Sequence, residues 1–392
     1  MIAIAMKELV DPYMQGRLLR SKLVKDGKVL VVDFEKTLQL ADIRKRNDVI
    51  VDVDTNKCVY RAKINCKLMD DVERTKKGKA DKFDPDNEEM VRESLREEFD
   101  MPLWFLRAHN EPLNQIKKWN MPLIYQMAGC NFHAGNSTDG CIYCFVDNES
   151  NYASPNVTTW LTAENIVNTF ENISEPMNIN HLRGSGGETT LTLDHTLDVL
   201  KIMRERGYEK SRFQFDSNLS TGKLIDDFIK EKIYPENILG QIADYDPKVL
   251  VAFKGSSNKS VRGNTQSNLG IMDQIQTFAK LVDAGLDCYP YIYNPNPKNL
   301  LSFVAYVEKY VENFGKKLHV GRLNNYETTK ARFKKIANET GMPAEAVEKQ
   351  YVAEWKNNYE QSIVELDSFL KGKYGVGYKE TERPSVKLKV LV

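Results

Sequence analysis

Cys130, Cys141 and Cys144 fall within one stretch of 15 residues, and only three other cysteines, Cys58, Cys66 and Cys288, occur in the 392-residue chain. Thiolates are soft ligands, so three of them at this spacing can hold zinc or an iron–sulfur cluster. Tetrahedral zinc needs a fourth strong ligand, for which His133 or a distant cysteine could serve. A four-iron cluster held by three thiolates instead keeps one iron open to a substrate or cofactor. The spacing alone leaves both readings standing. Gly129, Gly135 and Gly140 loosen the backbone, and with polar Asn, Ser, Thr and Asp between them the loop can wrap a cluster and donate backbone amides to its sulfurs.

A second stretch, Arg183-Gly-Ser-Gly-Gly-Glu188-Thr-Thr-Leu191, follows about 40 residues after Cys144. A glycine pair lets the backbone come close to a ligand, and exposed backbone groups followed by one carboxylate suit an ammonium better than a phosphate. Taken alone, the same residues also read as a plain β-to-α turn.

The elements that must position these residues alternate. Leu123–Met127 is a short apolar run leading into Cys130, and Thr159–Ile173 has helical spacing. Strand-like runs at Ile179–Arg183, Arg212–Phe215, Val249–Phe253, Cys288–Tyr293 and Leu318–Gly321 are separated by helical segments at Asp194–Arg206, Lys223–Lys232, Asn268–Ala284 and Leu300–Phe314. This pattern predicts α/β architecture, a partial (β/α)6 barrel over residues 121–325 with its site at the carboxyl ends of the strands. Residues 1–120 form an N-terminal α+β accessory region. In it, Val29–Asp33, Val49–Val53 and Cys58–Ile64 make a small antiparallel element, Asp70–Asn87 an exposed charged segment and Glu88–Phe99 a helix. Residues 326–392 form a helical C-terminal extension, with Trp355, Tyr359, Ile363, Leu366 and Leu370 on one face packing on the barrel flank. A late strand at Val386, Leu388 and Val390 adds an edge.

Four features occur in order at successive strand ends: the cysteines with Tyr143 just before the last, Gly186-Gly187-Glu188, Asp216-Ser217-Asn218, and Phe253-Lys254-Gly255-Ser256. Together they resemble the radical S-adenosylmethionine (SAM) enzymes, with the Lys-Gly segment similar to that of activase-like members. Two departures are visible. Ten residues separate the first two cysteines where the family usually has three, an insertion over Phe132–Thr138, and Thr189 stands where many members have proline. The resemblance implies that Cys130, Cys141 and Cys144 hold a 4Fe-4S cluster whose open iron chelates SAM. It implies that Gly186, Gly187 and Glu188 bind the SAM ammonium, Lys254 its carboxylate, and Ser217 and Asn218 its ribose, with Tyr143 and the backbone near Val320 and Gly321 beside the adenine. It further implies an electron donor such as flavodoxin or ferredoxin. Reductive cleavage of SAM would then give a 5′-deoxyadenosyl radical that takes hydrogen from a protein, peptide or small metabolite. Arg183, Asp216, Arg262, Asn294, Arg322 and Asn325 are further polar residues of the same rim.

Composition narrows the field. Lys plus Arg equals Asp plus Glu at 55 each, so no global positive field favours a nucleic-acid partner, and a tRNA- or nucleoside-modifying role stands as an alternative reading. No apolar run reaches the ~18–20 residues of a membrane span, and the start of the chain lacks a signal-peptide pattern, which predicts a cytoplasmic protein. Cysteines outside the triplet are isolated, so Cys58, Cys66 and Cys288 are expected to be buried thiols, and no second cysteine group predicts an auxiliary cluster. A cobalamin-binding segment is not expected, because no Asp-x-His-x-x-Gly occurs in the first 120 residues. The competing class is a non-catalytic zinc- or iron–sulfur-binding protein.

Overall fold

The computed structural model describes residues 9–45, 49–53, 59–62, 122–135, 139–174, 179, 181–208, 212–381 and 383–391. Cys66, Asp70–Asn87, Glu88–Phe99 and Cys58 lie outside the described residues, as does the turn 54–57. The N-terminal region supplies β1 (Val24–Lys25), β2 (Lys28–Val32), β3 (Val49–Asp52) and β4 (Val59–Ala62). These antiparallel strands join the main sheet: β2 pairs with β5 (Leu123–Met127) and with β6 (Thr158–Thr162), and β4 pairs with β3 and β5. From β5 the sheet continues in chain order and wholly parallel. It runs through β7 (Leu182–Gly186), β8 (Phe213–Ser217), β9 (Lys248–Phe253) and β10 (Asp287–Tyr293) to β12 (His319–Gly321). Each of these six is followed by helix, which is the α/β, partial (β/α)6 arrangement expected from the alternation.

Strand composition explains the layering. Every residue of β5 and of β9 is buried, as in a parallel sheet covered on both faces. On the helix-covered face, Phe253 packs edge-on against Phe278, Phe303 and Phe314 with ring centroids 5.4–5.5 Å apart. On the opposite face the register aligns Ile124, Arg183, Gln214, Lys248 and Asp287 in one row across five strands. Its charged members are paired: Lys248 reaches Asp246 at 2.8 Å and Asp287 at 3.3 Å, and Lys317 reaches Asp287 at 2.6 Å. Cys288 is fully buried on the helix side, as expected for an isolated thiol.

Three expected elements change. Thr159–Ile173 is not one helix: Thr158–Thr162 is strand β6, lying along β2, and the helix starts at Ala163. The switch is set by Thr162 and Asn165, whose side chains each accept the other's backbone N–H at 3.1 Å, a reciprocal cap. The segment Leu300–Phe314 ends its helix at Val307 and then forms β11 (Val311–Glu312), which pairs with β13 (Lys389–Val390) as a separate two-stranded ribbon rather than as an edge of the main sheet. The C-terminal extension is two helices, Glu327–Thr340 and Ala344–Tyr374, broken at Gly341, whose φ of +70° ends the first. Leu366 and Leu370 do pack on the barrel's core, but Val347 and Trp355 do not; they cover the cysteine loop.

The helix Pro12–Leu23 begins with Asp11 accepting from the Tyr13 and Met14 amides and proline in the first turn. It is fixed to the barrel by Arg20, which forks onto both oxygens of Asp194 at 2.8 and 2.5 Å and donates to the Leu191 carbonyl. Beside that pair, His195 is buried with neither ring nitrogen hydrogen-bonded. Burial holds its pKa down to about 4; Asp194 opposes the fall and Arg20 adds to it. Below the ordinary value of ~6.5 the unfolded chain gains a proton that the folded one refuses, so stability falls as pH drops from there toward 4. Urea unfolding at pH 5 should show about 2 kcal/mol less stability than at pH 7.5 from this group, and His195→Leu should remove that part of the slope.

Candidate active site

The site is rooted where β5 and β7 end side by side, with Met127 opposite Gly186. The Gly187 amide donates to the Met127 carbonyl at 3.0 Å, and the Glu188 amide donates to the Gly129 carbonyl at 2.8 Å. From the other side, the amides of Gly129 and Cys130 donate to the carbonyls of Ser150 and Asn151, each at 2.9 Å. A Cβ on Gly187 would fall on the Gly129 carbonyl, and Gly186 has a φ of +117°, open in practice only to glycine. The glycine pair is therefore required first by the protein's own cysteine loop, which it receives at backbone distance.

Beyond this root the loop folds inward. Cys130 and Cys141 are buried and Cys144 partly so, in an apolar cluster with Phe132, Ile142 and Tyr143. The Cys144 amide donates to the Cys141 carbonyl at 2.9 Å, a tight turn that keeps the Cys-x-x-Cys pair together. Burial pushes the Cys130 thiol well up, with the negative charge of Cys141 adding to it. Burial also pushes Cys141 up to about 11, against the nearby Lys254 ammonium, which draws it down. Two side-chain amides point at sulfur: Asn218 Nδ2 lies 3.8 Å from Cys130 Sγ, and Asn151 Nδ2 lies 3.9 Å from Cys144 Sγ. Among the described residues no three His, Cys, Asp or Glu side chains close on one point as ligands of a single ion. Loop residues 136–138 lie outside the described residues.

The other expected site residues are brought to the same end of the sheet, but not all face outward. Glu188 is almost wholly buried, and its carboxylate accepts from the Thr190 hydroxyl and amide, the Ser217 hydroxyl at 2.9 Å and the Asn218 amide at 2.6 Å. Burial raises its pKa, and these donors oppose the rise. Glu188 and Ser217 are thus engaged with each other, where the resemblance implies roles on a cofactor's ammonium and ribose. Asn218 is engaged with Cys130 and Asn131. Lys254 is half-buried, its ammonium 5.3 Å from the centre of the Tyr293 ring. Tyr143 is buried between Tyr293 and Trp355, at 6.1 Å from each ring, with its hydroxyl near the Cys141 thiol.

Several residues that hold the site carry no local motif. Arg332 donates to the carbonyls of Cys144 at 2.7 Å and Val146 at 2.8 Å, and Thr328 donates to the Cys144 carbonyl as well. Asn264 accepts from the Ile142 amide through its backbone carbonyl, and its side-chain amide donates to the carbonyls of Lys254 and Asn294. Asn358, on the long C-terminal helix, closes this relay by donating to Asn294 Oδ1 at 2.9 Å. On the polar face of the sheet, Arg183 pairs with Asp216 at 2.7 Å, and Ser185 and Gln214 donate to the same carboxylate. Of the other rim candidates, Arg262, Arg322 and Asn325 are exposed, and Asn325 bonds to Glu348.

No family model and no curated protein matches the chain. Among solved structures it matches the cobalamin-dependent S-adenosylmethionine radical enzyme OxsB, determined with aqua-cobalamin bound, at 13% identity and a TM-score of 0.34. The match covers 64% of this chain and 35% of that one, so the chain spans about a third of the length of that protein. Among the described residues no helix is long and apolar enough to cross a membrane.

The root of the loop makes a direct prediction. Gly187→Ala should lower the unfolding free energy by about 1–3 kcal/mol, because the new methyl meets backbone rather than a yielding side chain. Gly372→Ala, in the long C-terminal helix with nothing near its Cβ, should be neutral or slightly stabilising in the same thermal melts.

Proposed function

We propose that the chain is a radical SAM enzyme in which Cys130, Cys141 and Cys144 hold a 4Fe-4S cluster and SAM binds beside it at the carboxyl ends of the parallel strands. The observation that carries this reading is the convergence at that end. A loop leaving β5 brings Cys130 against Asn218 at the end of β8 and sets Cys141 within the field of Lys254 at the end of β9, under an apolar cap. Three soft thiolates with amide donors aimed at two of them suit an iron–sulfur cluster, and Lys254 supplies positive charge beside a third. Once reduced, such a cluster would supply the electron that cleaves the sulfonium of SAM to methionine and a carbon radical.

The chain's own residues have separable tasks. Lys254, cationic and part-exposed, would pair with the methionyl carboxylate, and the half-exposed backbone at Gly186 and Gly187 would receive the ammonium. Trp355, Phe333 and Val347 over the cysteine loop would keep water and oxygen from the thiolates. The polar face carrying Arg183, Asp216 and Ser185 would receive the substrate, a peptide, protein or small metabolite, and flavodoxin or ferredoxin would deliver the electron.

Anaerobic reconstitution with iron and sulfide should give brown protein with about four irons per chain. Incubation with dithionite and SAM should release 5′-deoxyadenosine, and Cys144→Ala should lose both colour and product. Lys254→Ala should keep the colour and raise the SAM concentration needed by tenfold or more, the loss of one charge-assisted contact. Colourless protein carrying stoichiometric zinc would overturn the reading.

A further inference from the structure

Asn218 sits between two parts of the chain that no cofactor role connects: the cysteine loop and the N-terminal helix. Its amide orientation is determined by its neighbours. Asn131 Nδ2 donates at 3.1 Å to the Pro12 carbonyl, which can only accept, so Asn131 Oδ1 must face Asn218. Asn218 Nδ2 accordingly donates to Asn131 Oδ1 at 3.0 Å and to Cys130 Sγ at 3.8 Å. Independently, Asn218 Oδ1 accepts from the Ser220 amide at 3.0 Å, which can only donate. Both ends of the amide therefore agree, and a flipped side chain would set donor against donor at Ser220 and acceptor against acceptor at Asn131.

The backbone under Asn218 is equally fixed. The buried Glu188 carboxylate takes the Asn218 amide N–H and the Ser217 hydroxyl, while Gln274 donates to the Asn218 carbonyl at 2.8 Å. We infer that Glu188, Ser217 and Asn218 are positioning residues for Cys130: a buried brace, keyed through Asn131 to Pro12, that aims one N–H at the Cys130 sulfur. This rests on the cluster reading above and deepens it. A donor to a ligating thiolate withdraws charge from it and makes reduction of the metal group easier, so the brace sets the reduction potential. It also gives the N-terminal helix a part in the site without any residue of that helix touching cofactor.

The test is a redox titration of the reconstituted protein, followed by the loss of visible absorbance against mediators of known potential. Asn218→Ala should bind the same iron as wild type and reduce at a lower potential. Asn218→Asp, which is isosteric but puts an oxygen where the N–H was, should lower it further. Glu188→Ala should lose iron, and Glu188→Gln should retain more of it, because its amide oxygen can still accept from the Asn218 N–H and its NH2 can donate to the two hydroxyls, with only the Thr190 N–H losing its acceptor. Unchanged potentials in both Asn218 variants at full iron content would overturn the brace and leave the cluster standing. Wild-type protein that takes up no iron–sulfur cluster would overturn both.

Discussion

The contact on which the rest of the site depends is between two pieces of backbone. Gly187 and Gly129 approach until no side chain fits between them, and the Glu188 amide closes on the Gly129 carbonyl. That approach joins the ends of β5 and β7, so the loop carrying Cys130 leaves the sheet at a fixed point and in a fixed direction. Everything beyond inherits that geometry. Were the loop to leave even an ångström higher, Cys130 would lose Asn218, and the buried donors around Glu188 would lose the turn that places them. A backbone hydrogen bond costs little to make and more to leave unmade in a buried setting, which is why this join is built from amides and carbonyls rather than side chains.

The C-terminal helices act on the same loop from the opposite side. Arg332 takes two carbonyls of the loop, Thr328 shares one of them, and Phe333 and Trp355 seal the apolar surface. The relay from Asn358 through Asn294 and Asn264 to Ile142 ties the cap to the strand end carrying Lys254. A loop of polar and glycine residues would not hold its three thiols in place by itself, since ordering its backbone costs about 1–2 kcal/mol per residue. The cap supplies the apolar contact that the loop's own sequence lacks.

How much of this could be read from the sequence follows from which interactions are local. The parallel strands were legible because fully buried strands carry continuous apolar runs, as Val249–Phe253 does, and the helices between them because their apolar spacing is regular. Residues Thr158–Thr162 were not, since the period of Thr159–Ile173 mimics a helix and only pairing with β2 resolves it into a strand. The chemistry-bearing residues of the four strand-end features were legible by type, but their orientation was not. Glu188 reads as a ligand for an ammonium because it is a carboxylate following exposed backbone groups at a strand end. Here the chain folds it inward, onto donors 29 and 30 residues later in sequence. Arg332 and Asn358 give no local signal at all, because their partners are 64 to 188 residues away.

The inward turn of Glu188 also changes what the strand ends can do. An exposed carboxylate there would meet any bound cation directly and would be set by it. A buried one, already holding a hydroxyl and an amide from β8, is set by the fold and acts through what it holds. Its charge is balanced by oriented dipoles rather than by a counter-ion, an arrangement that costs reorganisation only once, on folding. The thiol of Cys130 sits at the far end of that chain of dipoles, so one part of the polarity it feels is set by the scaffold. Lys254 differs: it is part-exposed, with its ammonium over the Tyr293 ring. The site thus sets a scaffold-held amide donor at Cys130 beside the ammonium of Lys254 near Cys141, and the sheet register that puts β8 between β7 and β9 is what allows the two to lie side by side.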